Sequence, residues 1–110
     1  MGSSRKDLKA FPREVTRAVG YALWFAQQGG KHDDAKALRG FGDAGVLEVI
    51  ENHETGTYRA VYTVRFADSV YVLHVFQKKS RKGRKTPTEE MATIRRRLKL
   101  AREDYQRRSQ

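Results

Sequence analysis

The stretch TYRAVYTVRFADSVYVLHVFQKKSRKGRK, Thr57–Lys85, decides the fold. Its first ten residues alternate. Tyr58, Ala60, Tyr62, Val64 and Phe66 share one face of a strand, and Arg59, Val61, Thr63 and Arg65 share the other, because successive side chains of a strand point to opposite sides. The aromatic set is expected to form the core face. Ala67-Asp68-Ser69 reads as a tight turn. Val70–Gln77 then returns antiparallel as a nearly continuous apolar strand, the pattern of a central strand buried on both faces. The two strands, Thr57–Phe66 and Val70–Gln77, run into a loop in which six of the eight residues Lys78–Lys85 are Lys or Arg.

Toward the N-terminus, Asn52–Gly56 is a turn, with Gly56 suited to a positive φ. Val46–Glu51 is the first clear strand. Lys31–Gly45 is rich in Gly and Asp, carries Lys36 and Arg39 in AKALRGFG, and reads as a solvated connector. Before it, Val15, Ala18, Val19, Ala22, Leu23 and Ala26 recur on one helical face. They predict a helix from Pro12 to Gln28, closed by Gly29-Gly30. Trp24 and Phe25 are expected to widen its buried stripe. A shorter helical turn covers Arg5–Ala10, with Ser4 and Asp7 spaced as a capping box.

Toward the C-terminus, Thr86 can cap a helix with Pro87 at its first position and Glu89 three residues after the cap. Met91, Ile94, Leu98, Ala101 and Tyr105 form its apolar seam, among Arg95, Arg96, Arg97, Lys99 and Arg102. The fold class expected is α+β. An N-terminal helical hairpin packs on a three- to four-stranded antiparallel sheet, followed by a basic C-terminal helix, with helices covering one sheet face. Residues 1–110 are read as a single domain.

Composition narrows the partners. Charged residues make up 33% of the 110 positions, and the net charge is +10. Residues 1–77 hold ten Lys/Arg against nine Asp/Glu, a net of +1; residues 78–110 hold thirteen against four, a net of +9. Such asymmetry favours a polyanion, nucleic acid first, with an acidic protein or a membrane surface second. There is no cysteine, which excludes disulfides, thiolate metal sites and a cysteine nucleophile, and fits a reducing cytosol. No apolar run approaches the roughly 18 residues that span a bilayer. The N-terminus lacks the apolar centre of a signal peptide. The expectation is therefore a cytoplasmic protein without a membrane partner.

The sequence has neither a GxxxxGK[ST] phosphate loop nor a GxSxG elbow. His32, His53 and His74 match no metal-ligand spacing, so neither metal nor cofactor is expected, and His74 reads as a structural histidine within a strand. What remains is a cationic constellation suited to RNA cleavage through the 2′-OH. Arg59 can chelate two phosphate oxygens and stabilise the transition state. Lys78 and Lys79 follow the neighbouring strand into the basic loop, where packed cations favour acid–base work. Glu48, on the other neighbouring strand, can serve as a base or fix a cation. Lys36, Arg39, Arg81, Lys82, Arg84 and Lys85 are assigned to RNA binding. Arg65 lies on the same face as Arg59 but farther along the strand, and is left as structural.

The runs LRGFGDAGVLEVIE, TYRAVYTVRF and VYVLHVFQKKSRKGRKTP resemble toxins of the RelE/ParE superfamily, nearest its HigB-like, phage-derived branch. The resemblance covers about Ser3 to Tyr105. It implies a toxin of a type II toxin–antitoxin module that cuts messenger RNA on the ribosome without metal, leaving a 2′,3′-cyclic phosphate. It implies a HigA-like helix-turn-helix antitoxin as partner, with operator DNA reached only through that antitoxin. On this resemblance Arg59 matches the family arginine of the central strand, Lys78 and Lys79 its cations after the last strand, and Lys36 and Arg39 a region that meets ribosomal RNA. RelE itself has lysines where this chain has Glu48 and Ile50, and a tyrosine where it has Thr86-Pro87. No histidine follows His74, so the C-terminal histidines of HigB proteins are not matched either. The alternative within the superfamily is a ParE-like toxin that inhibits DNA gyrase by binding. A non-catalytic nucleic-acid-binding module is a third class.

Overall fold

A computed structural model gives the architecture and describes residues 2–30, 35–41, 45–63, 70–78 and 87–108, Lys78 in its backbone only. In chain order the elements are α1 (Ser4–Lys9), α2 (Arg13–Gln27), β1 (Ala35–Ala37), β2 (Val46–His53), β3 (Gly56–Thr63), β4 (Val72–Lys78) and α3 (Thr88–Arg108). The strands form one antiparallel sheet in the order β1-β2-β3-β4. The α+β class, the N-terminal helices and the C-terminal helix are those the sequence predicts. The Lys31–Gly45 connector differs from its reading as a loop. Ala35, Lys36 and Ala37 pair with Val49, Glu48 and Leu47, which makes β1 one edge of the sheet.

Register explains the two cores. Tyr58 and Ala60 of β3 and Val75 of β4 pack with Val15 and Val19 of α2, and Tyr62 and Val49 pack with Ala22 beside them. The opposite face carries Val46, Val61 and Phe76, which pack under Ile94, Leu98 and Ala101 of α3. The expectation of helices on one face is therefore corrected: α1 and α2 cover one side and α3 the other. Three helices cannot all share one four-stranded face, and the apolar seam of α3 needs a surface of its own. Burying Ile94 and Leu98 contributes about 1.5–3 kcal/mol each. A bulge opposite Val61 and Tyr62, whose partners are His74 and Val72, leaves Leu73 as an extra residue on β4. Leu73 joins the α3 core although Val75, two positions on, joins the α2 core. The central-strand expectation is corrected: among the described residues β4 is an edge strand, and it reads as continuously apolar because this break in alternation lets both faces claim its side chains.

Element ends shift by one or two residues. Pro12 is the N-cap of α2, and its carbonyl accepts from Thr16 N–H at 3.0 Å. Pro87 does the same for Met91, so α3 begins at Thr88; Thr86 lies outside the described residues. The capping box expected from Ser4 and Asp7 does not form, and the N-cap residue, Ser3, makes no side-chain cap bond. Ser3 precedes α1 and its hydroxyl donates to the Asp7 carboxylate at 2.7 Å, whereas Ser4 is buried and donates to the Leu73 carbonyl at 3.2 Å. Gly56 has φ 145°, and a Cβ there would come within 2.6 Å of the Gln77 amide nitrogen. The final correction concerns α2. Trp24 and Phe25 do not widen the buried stripe; they are 53% and 38% exposed, beside Tyr21 at 58%.

Candidate functional site: a cationic cleft between the β1–β2 edge and α3

The two-residue period puts Glu48 and Ile50 on the same sheet face as Arg59, with Lys36 directly opposite Glu48 in register. α3 packs on this face, and its N-terminal residues Thr88, Met91 and Arg95 stand toward the β1–β2 side. The result is a cleft of about 760 Å³ lined by Lys36, Ala37, Leu38, Arg39, Gly40, Glu48, Ile50, Thr88, Met91 and Arg95. Three cations, Lys36, Arg39 and Arg95, stand around one carboxylate, Glu48. Ile50, Leu38 and Met91 supply apolar wall. The Arg95 guanidinium lies 5.7 Å above the Phe41 ring, a cation–π contact that fixes its arm. Gly40 has φ 96°, and a Cβ there would meet Met91 Cε at 3.2 Å, so this turn needs glycine for both conformation and room.

Arg59 does not reach the cleft surface. It is 2% exposed, and its Nη1 donates to Glu48 Oε2 at 3.3 Å in a buried salt bridge. The expectation that Arg59 faces an open sheet surface is corrected: it sits between Ile50 and Phe76 in register, and its guanidinium is engaged in a buried ion pair with Glu48. Arg59 fixes the Glu48 carboxylate from beneath, and Glu48 in turn meets the cleft. Lys78 pairs in backbone with Thr57, two residues from Arg59 along β3. Its side chain, together with Lys79, Arg81, Lys82, Arg84, Lys85 and Arg65, lies outside the described residues. The structure thus brings Glu48, Lys36 and Arg39 together. It adds Arg95, Met91 and Ile50, which sequence reasoning did not assign to the site. Arg95 follows Met91 by four residues, so both project from one side of α3 beside its seam; that spacing was the available signal.

A second polar cluster lies on β4. Arg97 Nη1 donates to the Leu73 carbonyl at 3.0 Å and to His74 Nδ1 at 3.1 Å, and reaches Ser4 Oγ at 3.3 Å. A guanidinium can only donate. Nδ1 of His74 must therefore accept, which leaves its proton on Nε2, hydrogen-bonded to the Glu90 carboxylate. His74 also stacks on Phe76 with ring centroids 5.1 Å apart. It is the satisfied structural histidine the sequence predicts, joining β4 to α3, while Arg97 reaches on to Ser4 of α1.

The match to a known family covers this whole region. The family model for the phage-derived protein Gp49-like family (DUF891) matches residues 6–99. The chain belongs to that family. Gp49-like proteins are RelE/ParE-like toxins of toxin–antitoxin systems, and the chain is accordingly a phage-derived, toxin-like protein. The matched span includes most of α1, all of α2, the whole sheet and the cleft-lining part of α3. No curated protein and no solved structure matches the chain. No described helix is long and apolar enough to cross a membrane.

Proposed function

We propose that this Gp49-like protein is the toxin of a type II toxin–antitoxin module, with a HigA-like helix-turn-helix antitoxin, and that it inhibits translation by cutting messenger RNA on the ribosome. The observation that carries the RNA reading is the cleft, where Lys36, Arg39 and Arg95 surround the buried-edge carboxylate of Glu48. Three cations suit a phosphodiester, and the apolar wall of Ile50 and Met91 suits the adjoining base or ribose.

In this reading Glu48 takes the proton of the ribose 2′-OH. The 2′-oxygen attacks phosphorus, and the bond from phosphorus to the 5′-oxygen breaks. Arg39 and Arg95 stabilise the charge on the phosphorane oxygens. Lys36, opposite Glu48 in register, supplies a proton to the leaving 5′-oxygen. The products are a 2′,3′-cyclic phosphate and a 5′-hydroxyl. Arg59 acts as a positioning residue that holds Glu48, in place of the direct phosphate contact read from the sequence.

The test is sequencing of RNA 5′-hydroxyl ends from translating ribosomes exposed to wild type, Glu48→Gln and Arg95→Gln. Loss of a general base lowers cleavage by about 10²–10⁴-fold. Glu48→Gln is expected to show that loss while still binding RNA, and exposed Arg95→Gln provides a variant whose folding is secure. Undiminished cleavage in both overturns the site. Double-strand DNA breaks that depend on gyrase, with intact messenger, overturn the RNA reading in favour of gyrase inhibition.

A further inference from the structure

The outward face of α2 is built against the usual rules for a free helix. Tyr21, Trp24 and Phe25 are 58%, 53% and 38% exposed, while Val15, Val19 and Ala22 supply the buried side. The Trp24 and Phe25 rings are fixed edge to face at 5.2 Å. Arg13, Arg17, Gly20 and Trp24 follow one another at spacings of four, three and four, so they form one stripe with Tyr21 beside it. Arg13 stands in the first turn, where a cation opposes the helix macrodipole.

Gly20 sharpens the picture. Glycine is the least favourable helix residue after proline. A Cβ at Gly20 would meet nothing within 4 Å, so packing inside this chain does not require its absence. A missing side chain on an exposed stripe permits close approach from outside. Flat base stacking on aromatic rings gains nothing from such a notch, whereas a crossing helix can seat a side chain in it. A second copy of this chain is the wrong occupant on charge. It brings +10 and a matching pair of arginines, and the one acid of the α2 first turn, Glu14, is already engaged by His53 at 3.3 Å.

We propose that this face of α2 receives an acidic amphipathic helix of a protein partner. The helix crosses α2 at Gly20, sets apolar side chains against Tyr21, Trp24 and Phe25, and sets carboxylates against Arg13 and Arg17. That the partner is the antitoxin rests on the toxin reading above. The surface is on the opposite side of the sheet from the cleft, so a partner held there leaves the cleft uncovered by that contact.

Trp24 is the chain's single tryptophan, and its emission reports this face directly. The probe is the purified product of the gene adjacent to this one, titrated into the full chain. Binding is expected to shift Trp24 emission to the blue. Trp24→Ala is expected to weaken binding by roughly thirtyfold, the size of an anchor residue, when followed by calorimetry. Gly20→Ala gives opposed signs: the melting temperature of the free chain rises by a few degrees, yet affinity falls roughly tenfold. Arg13→Gln with Arg17→Gln lowers affinity and flattens its salt dependence. Tight binding with unshifted emission and equal affinity for Gly20→Ala overturns the surface and leaves the toxin reading standing. No binding to wild type overturns both. Loss of affinity for an RNA oligomer in Trp24→Ala, or a concentration-dependent dimer that Trp24→Ala abolishes, overturns the helix as occupant.

Discussion

The Arg59–Glu48 pair is the sharpest quantitative handle on this molecule. The charged atoms lie 3.3 Å apart, with side-chain exposures of 2% and 10%. At an effective dielectric of about 20 their attraction is about 5 kcal/mol. Desolvating two ions offsets much of that gain, so the pair contributes little net stability against an apolar isostere. Removing one partner is different, because it leaves the other charge in the interior without this counter-ion. Arg59→Met and Glu48→Leu are each expected to cost about 3–5 kcal/mol, a large share of the roughly 5–15 kcal/mol that holds a small domain. The double variant should be more stable than either single one. Urea unfolding followed by circular dichroism, with matched slopes, reads all four species. Single losses below about 1 kcal/mol that simply add in the double would refute the buried pair.

Other outcomes follow from the same packing. Tyr62 is 1% exposed, and among the described residues its hydroxyl has no hydrogen-bond partner. Tyr62→Phe is therefore expected to stabilise the fold by about 1 kcal/mol in thermal melts. Burial also pushes the Tyr62 phenol above its ordinary value. The neutral phenol is favoured in the fold, so its contribution is complete below about pH 10 and is lost as pH rises through the folded value; that alkaline component should vanish in Tyr62→Phe. Arg97→Ala removes donors from His74 and the Leu73 carbonyl, and should cost about 1.5–3 kcal/mol by denaturant titration. Gly40→Ala strains a positive φ and crowds Met91, so it should lower both melting temperature and RNA affinity.

How much of this was readable depends on which forces set each feature. Alternation in Thr57–Phe66 assigns Arg59 and Val61 to one face and Tyr58 and Ala60 to the other, and the register agrees. Alternation cannot say what lies above each face. The missing step was spatial: the seam of Ile94, Leu98 and Ala101 needed apolar partners, and Val46, Val61 and Phe76 were the unclaimed ones. β1 was not legible, since Ala-Lys-Ala has little strand preference and exists through pairing with β2. Of the site, the parity of Glu48 with Arg59 and the cations of the connector were readable. Arg95 and Met91 could be read as sharing one side of α3, but not as lining the cleft, because that depends on how α3 lies on the sheet.

The two largest departures from burial expectation point the same way. A charge, Arg59, went inside, and an indole, Trp24, stayed outside. Each choice works against stability taken alone, and a sequence selected only to fold would avoid both. Arg59 becomes intelligible once Glu48 is needed as a fixed anion at the floor of a cationic cleft. Trp24 becomes intelligible once α2 has a surface to offer, with Gly20 left bare beside it. The sheet separates these two features, so substitutions at one should add to substitutions at the other. Loss of RNA cleavage in Glu48→Gln with partner affinity intact, and the reverse in Gly20→Ala, would show that one small fold keeps its chemistry and its restraint on opposite faces.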